Sequence, residues 1–532
     1  MYRKSLFLAL KKWWLDNPWI APLLIFCIAV AAFSLWLASP TFADPDSFYH
    51  IKISEMMIKK RQAITEFPWL QFTTLKNAYV DHHLLYHVYL IPFILALGTT
   101  VGVKLATILL GSGTVTLFCC LLQKMKVRYS LLFSILLLFS YSFAFRMGLS
   151  KAPAVGFLFL TGGFLLMAMK QHRLLILTSF LFVWSYGGFL LLPILAGIYS
   201  LIGAFRYVQK NGKAFERKKM LRLFLPLAAT VAGTAAGLLI HPSFPQHIIF
   251  LWQQIIEIGL INQQNVIGVG NEWYPSEIIT LISDNILVAG LLASGLIAFF
   301  ATTKKQTTAS ITAGVLVFIF FIFTLKSRRY SEYFIPWAVL FSALSLHLSG
   351  ALDALPRLLK KAKQKMSSNA VTATAGAVAA IYCLFIFGGV CAMGAENVYD
   401  SHHHGIPLTD FADAGKWLRT HSNKGDIVFH SNWDIFPQMF YHVARDRFIV
   451  GLDPTFMYNY DQELYWEWVD ITKGEQTKNL YEIIGDDFNA RFVVIENDHT
   501  AMMNNVIADG RFKKTYEDAS YTIFRLPREN GN

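Results

Sequence analysis

Runs of about 18 or more mostly apolar residues recur along this chain, and each is long enough to cross a bilayer as a helix. They fall at 19–39, 98–122, 129–146, 152–169, 174–188, 189–205, 223–241, 284–301, 309–325, 333–350 and 370–392. A further apolar stretch at 84–97 is short for a crossing and is expected to lie along the interface. A chain that is 54% hydrophobic cannot hide that much apolar surface in a soluble core. The expected fold class is therefore a polytopic α-helical membrane protein of about 11–13 spans. The first span, from about Trp19 to Ala38, is too long for a cleaved signal and lacks a small-residue cleavage site, so it is expected to stay as an anchor.

Lysine and arginine orient these spans. Arg3, Lys4, Lys11 and Lys12 precede the first span and are expected on the cytoplasmic side. Alternation then places Lys124–Arg128, Lys170–Arg173, Arg206–Arg222, Lys304–Lys305 and Arg357–Lys365 on that same side, and each is basic. The net charge of +12 is thus spread over short cytoplasmic loops, which argues against a nucleic-acid partner. The outer side receives the loop 40–83, the short loop 146–151, the loop 242–283, the segment Lys326–Glu332 and the C-terminal tail. The five cysteines, Cys27, Cys119, Cys120, Cys383 and Cys391, all lie in or beside apolar runs, so neither a disulfide framework nor a thiolate metal cluster is expected.

The tail differs in composition. Short β-type runs at Asp426–Phe429, Arg447–Val450, Arg491–Ile495 and Tyr521–Phe524 alternate with helical patterns at Asp410–His421 and Gln476–Ile484. The expected division is a membrane domain over 1–394, with outer loop 40–97 carrying the chemistry, and a soluble extracytoplasmic α/β domain over 395–532. The run His402-His403-His404 at their junction reads as a solvated linker, with metal binding as the alternative.

Five polar groups fall on the outer side. The first is Asp44, Asp46 and His50, just past the first span, where charge needs water, a cation or a ligand to compensate it. In a helix from Ser47 onward, Asp46 and His50 share a face; an ordinary helix cap is the alternative. The second is Asp81-His82-His83 with His87, able to hold a divalent cation or phosphate oxygens, or merely an interfacial polar cluster. The third is Glu272 beside Trp273 and Tyr274, an acid among residues that also suit a membrane interface. The fourth is Lys326-Ser327-Arg328-Arg329, cations that run against the charge bias and fit an external phosphate, with snorkelling as the alternative. The fifth is Trp433-Asp434 in the tail, either a grip on a polar acceptor or a tryptophan beside a helix cap.

Taken together, these positions resemble the GT-C superfamily of membrane glycosyltransferases, most closely the catalytic subunit of oligosaccharyltransferase. Asp46-Ser47-Phe48-Tyr49-His50 resembles that family's first-loop Asp-Pro-Tyr-Tyr-His pattern, which makes Asp46 the metal-contacting acid. Asn271-Glu272-Trp273-Tyr274-Pro275-Ser276 is similar to its Ser-Val-Ser-Glu motif, with Glu272 in the glutamate place. Arg329, ahead of an aromatic stretch and Pro336, stands where the family contacts pyrophosphate. Asn432-Trp433-Asp434 stands in for Trp-Trp-Asp, with Asp434 keeping the acid. The family's second outer loop supplies another acid, but here Arg146–Pro153 has none. Asp81 is the replacement the sequence offers, placed before His82-His83-Leu84-Leu85-Tyr86 much as in the lipid A aminoarabinose transferases, also GT-C.

The resemblance implies transfer of a sugar or oligosaccharide, with inversion, from a polyprenyl phosphate or pyrophosphate to a glycan, lipid or protein acceptor on the outer face of a bacterial-type inner membrane. Asp46, Asp81 and Glu272 are then the catalytic and metal-binding acids for Mg2+ or Mn2+. Arg328, Arg329, His83 and His87 bind donor phosphate, and Trp433 and Asp434 bind the acceptor. The alternative is a non-catalytic transporter, flippase or assembly partner on the same frame. The missing loop acid favours it, and the gathering of charge at the outer rim rather than mid-membrane opposes it.

Overall fold

A computed structural model describes residues 17–212, 216–354, 357 and 370–527. The basic residues Arg3, Lys4, Lys11 and Lys12, and most of the loop Arg357–Lys365, lie outside the described residues. Two compact units emerge: one of residues 1–39, 104–240 and 275–403, the other of residues 40–103, 241–274 and 404–532. The second unit gathers the two long loops with the C-terminal stretch, a grouping that a single cut at 394/395 does not contain.

The first unit is helical. Each apolar run assigned to it holds a helix, among them Ile20–Trp36, Pro153–Ala168, His172–Val183, Leu191–Asn211, Leu225–Leu239, Thr308–Lys326 and Ser331–Ser349. Three helices are long and apolar enough to cross a membrane, and two bent pairs raise that number to five. The others are shorter; a 17-residue helix such as Ile20–Trp36 spans about 26 Å at 1.5 Å per residue. Two expected spans are broken rather than continuous. Residues 130–148 bend by 73° between Leu138 and Tyr141, and residues 278–301 bend by 97° at Asn285. Asn285 bridges these two breaks: its amide oxygen accepts from Ser140 Oγ at 2.5 Å, and its amide nitrogen donates to Ser142 Oγ at 2.9 Å. Side-chain partners of this kind satisfy backbone freed at a break in an apolar setting. The last helix, Ala370–His403, runs through the expected domain junction. His402 is buried at its end, and His403 stacks on Tyr399, so these two are not a solvated linker.

The second unit is built on a five-stranded sheet. Its strands are β3 (Ile427–His430), β4 (Arg447–Phe448), β5 (Ala490–Glu496), β6 (Lys513–Glu517) and β7 (Tyr521–Arg525), in the order β4-β3-β5-β7-β6. The β3–β4 and β3–β5 pairs are parallel; β5–β7 and β6–β7 are antiparallel. Four strands coincide with the β-type runs of the sequence. β6 escaped notice because Lys513–Glu517 is polar and half-exposed at the sheet edge, where no apolar alternation is needed. The helical stretch expected at Gln476–Ile484 is only Leu480–Glu482, continued as a π-turn to Asp487.

The long loop from residue 40 is stitched into this sheet. β1 (Thr41–Phe42) pairs antiparallel with β2 (Ile406–Pro407). Leu70 bridges in parallel to Phe448 of β4, where Gln71 N–H donates to Phe448 O at 3.0 Å and Phe448 N–H to Trp69 O at 2.7 Å. Helices Asp46–Lys60, Leu84–Leu97 and Phe436–His442 pack together, with Phe67, Trp69, Tyr79, Phe436 and Phe440 as their shared aromatic core.

Candidate functional site

In the second unit, the helix begins at Asp46, one residue earlier than expected. Asp44 caps it, accepting the Asp46 N–H at 2.9 Å. The capping reading therefore holds for Asp44 and leaves the Asp46 carboxylate to the first turn, where the helix N-terminus favours negative charge. Lys52 anchors the far face by donating to Tyr441 O at 2.6 Å.

A buried acid that the sequence reading missed lies in the same unit. Asp453 follows β4 in the turn Val450-Gly451-Leu452-Asp453-Pro454-Thr455 and is 5% exposed. The turn is shaped by close contact and by strain. A Cβ at Gly451 would fall 2.3 Å from the Phe436 ring, and Leu452 sits at φ 65°, in the left-handed region. Asp453 Oδ1 accepts the Thr455 N–H at 2.9 Å. Burial pushes the Asp453 carboxyl up to about 6; Thr455 opposes the shift, and the negative charges of Asp46 and Glu272 add to it. Asp46, Glu272 and Asp453 thus share one electrostatic neighbourhood, although they come from three distant stretches of chain.

Glu272 sits half-buried on a 3-10 turn, Asn271–Trp273, held by Asn262 Nδ2 donating to Trp273 O at 2.6 Å. The turn lies beside the tail motif: a side chain at Gly270 would meet the Trp433 ring at 3.6 Å. Trp433 and Asp434 occupy their own 3-10 turn, capped by Asn432 Oδ1, which accepts the Asp434 N–H at 3.0 Å. Trp433 is half-buried and Asp434 exposed. Behind them Ser431 and Glu496 exchange hydrogen bonds, Ser431 Oγ donating to Glu496 Oε2 at 3.3 Å and Glu496 N–H donating to Ser431 Oγ at 3.1 Å.

Asp81, His83 and His87 are placed differently from their expected roles. Asp81 is buried; its Oδ2 accepts from His87 Nδ1 at 2.8 Å and its Oδ1 from the His83 N–H at 3.1 Å. His87 is fully buried, and its Nε2 meets His50 Nδ1 at 2.8 Å. With both ring nitrogens engaged, His87 has none to offer a phosphate, which corrects that expectation. His83 is half-buried, with its ring 5.0 Å from His50 and 3.8 Å from His82. Beside them the Tyr49 and Tyr79 hydroxyls meet at 2.7 Å. Burial first, then the Asp81 charge, drive the Tyr49 hydroxyl well above its ordinary pKa, and Asp46 adds to the effect.

Arg328 and Arg329 belong to the first unit, on a 3-10 turn between two helices. Arg328 is exposed; Arg329 is half-buried and its Nη2 donates to the Tyr186 hydroxyl at 3.2 Å. Tyr186 approaches Glu332 Oε1 at 3.5 Å, and Glu332 Oε2 accepts from Arg146 Nε at 2.8 Å in a buried ion pair. The short outer loop that lacks an acid thus brings a cation, and a glutamate on the next helix answers it. Only the sequence run Arg329–Tyr333 hinted at this, through an acid at the head of an apolar helix.

For a divalent cation, Asp46, Glu272 and Asp453 offer hard oxygen donors, and their mutual repulsion at a buried position is what a cation relieves. Among the described residues, the tightest grouping of possible ligands is elsewhere: Glu496, Asp498 and His499, with one ligand atom each within 4.8 Å of the others.

No sequence-family profile matches the chain, and no curated protein matches it in sequence. Solved structures do match. The oligosaccharyltransferase AglB from Archaeoglobus fulgidus, in complex with an inhibitory peptide and a dolichol-phosphate, superposes with a TM-score of 0.66 at 13% identity, over 94% of this chain and 73% of that one. Its apo form gives 0.65 at 13% identity, over 97% and 75%. ArnT from Cupriavidus metallidurans bound to undecaprenyl phosphate gives 0.54 at 14% identity, over 96% and 98%. The chain has the fold of the GT-C glycosyltransferases, which accords with its apolar helices and marks a multi-pass membrane protein.

Proposed function

We propose that this GT-C protein is a glycosyltransferase that moves a sugar or oligosaccharide from a polyprenyl phosphate or pyrophosphate to an acceptor on the extracytoplasmic face of its membrane. The observation that carries this reading is the convergence of Asp46, Glu272 and Asp453 in one electrostatic neighbourhood, with Trp433 packed beside the Glu272 turn. The superposed AglB and ArnT structures hold dolichol-phosphate and undecaprenyl phosphate, which supports a lipid-linked donor for this chain too.

Asp46 and Glu272, with Asp453 replacing the missing second-loop acid, would hold Mg2+ or Mn2+. Such a cation supplies positive charge against the negative charge that develops on a leaving phosphate. Arg329, oriented by Tyr186, meets donor phosphate together with exposed Arg328. Trp433 offers an apolar wall to the acceptor, and Asp434 accepts hydrogen bonds from it. The test is transfer of a radiolabelled sugar from a polyprenyl-linked donor by purified full-length protein. Asp46→Asn and Glu272→Gln should each lower turnover by about 100-fold or more. Unchanged turnover in both variants would overturn the reading.

A further inference from the structure

Asp81, His87 and His50 form a linear chain of two hydrogen bonds, each 2.8 Å long. An ionised carboxylate can only accept, so His87 Nδ1 carries a proton. A neutral imidazole protonated on Nδ1 presents Nε2 as an acceptor. His50 Nδ1 must therefore donate to it, and His50 Nε2 is left with the lone pair. The three side chains are 5%, 0% and 3% exposed, so bulk water does not exchange these roles. The backbone is pinned as well: Ser54 Oγ donates to His50 O at 2.9 Å and lies 3.3 Å from His87 O. The Asp81 carboxylate is fixed by its second bond, from the His83 N–H. A flipped tautomer at either ring would set two donors or two acceptors face to face in a buried place, at a cost of about 1–3 kcal/mol.

We propose that Asp81 is a positioning residue which, acting through His87, holds His50 as the Nδ1–H tautomer, so that Nε2 serves as an electron-pair donor on the helix that begins at Asp46. Asp46 and His50 lie four residues apart on that helix and so share a face. The partner of Nε2 is an electron-pair acceptor, either a divalent cation or an N–H or O–H group of the acceptor substrate. Its use in turnover rests on the glycosyl-transfer reading; the tautomer itself does not. Asp81 thereby moves from the expected metal ligand to a group that orients another.

The test uses full-length protein labelled with 15N-histidine in lipid bilayers and read by solid-state NMR near neutral pH. His50→Gln and His87→Gln assign the two resonance sets. Both rings should show a protonated Nδ1 and a bare Nε2, and Asp81→Ala should shift His50 toward a mixture of tautomers while Asp81→Glu restores it. Addition of Zn2+, or of a polyprenyl-linked sugar with an acceptor peptide, should displace the His50 Nε2 resonance. Asp81→Ala should lower turnover about 10- to 100-fold, with the donor KM within about twofold. A protonated Nε2 on His50 in the unaltered protein, a tautomer indifferent to Asp81→Ala, or an Nε2 resonance that neither addition displaces would overturn the proposal. If the tautomers are as expected and the unaltered protein transfers no sugar, the glycosyl-transfer reading fails and the relay stands.

Discussion

Replacing Asp453 with Asn should make the protein more stable at neutral pH. The Asp453 carboxyl rises from 3.8 to about 6 on folding. A shift of about 2 pKa units corresponds to about 3 kcal/mol between its protonated and ionised forms. The sign follows from the direction. A raised pKa means that the folded state holds this proton more tightly than the unfolded chain does. Stability is therefore fullest below about pH 4 and falls as pH rises toward 6, reaching a plateau about 3 kcal/mol lower. Asn has the same shape and keeps an oxygen for the Thr455 N–H, but carries no charge for Asp46 and Glu272 to repel. Thermal unfolding of full-length protein in nanodiscs, with a chelator present, should show the variant melting several degrees above the unaltered protein near neutral pH. The gap should close as pH falls toward 4. Added Mg2+ or Mn2+ should raise the unaltered protein and leave the variant behind. A variant that melts lower at neutral pH, or a gap that ignores pH, would refute the reasoning.

Glu332→Ala should destabilise the protein by about 3–5 kcal/mol, because it leaves the Arg146 guanidinium buried without its carboxylate; in denaturant melts, Arg146→Met with Glu332→Met should recover most of that loss. Gly188→Ala should weaken binding of a polyprenyl phosphate by about tenfold in equilibrium titration while the fold is kept. Its Cβ would sit 2.7 Å from the Tyr186 ring, which holds Arg329, and one charge-assisted hydrogen bond is worth about 1.5 kcal/mol. Trp433→Ala should raise the acceptor KM and leave donor binding unchanged in the same titration.

The helical frame was legible because burial in lipid demands long apolar runs, and the strands β3, β4, β5 and β7 because buried strands need β-branched and aromatic residues. The two broken spans were not, since Asn285, Ser140 and Ser142 look innocuous until they face one another. Asp46 and Glu272 were readable as acids at a membrane mouth, whereas Asp453 was not. It follows a β-run in an ordinary Asp-Pro-Thr turn, and nothing local announces that this turn meets residues 181 and more positions away. The pairing of His50 with His87 was likewise hidden. The i, i+4 spacing invited His83 with His87 and Asp46 with His50, but the helix Leu84–Leu97 turns His87 toward His50 instead. Local spacing reports which residues share a face, and only tertiary packing decides what that face meets.

The bridge between Leu70 and Phe448 has a temporal consequence. Trp69 and Ala444, which share a hydrogen bond beside it, are 375 positions apart. At about 5–20 residues per second, a ribosome needs roughly 20 to 75 s to deliver the second partner after the first. Throughout that interval the segment around Trp69 waits on the far side of the bilayer with its hydrogen-bonding edge unclaimed. Biogenesis of this protein therefore calls for a guardian of that edge, and a chain truncated before residue 444 should be cleared by quality control however well its helices have inserted.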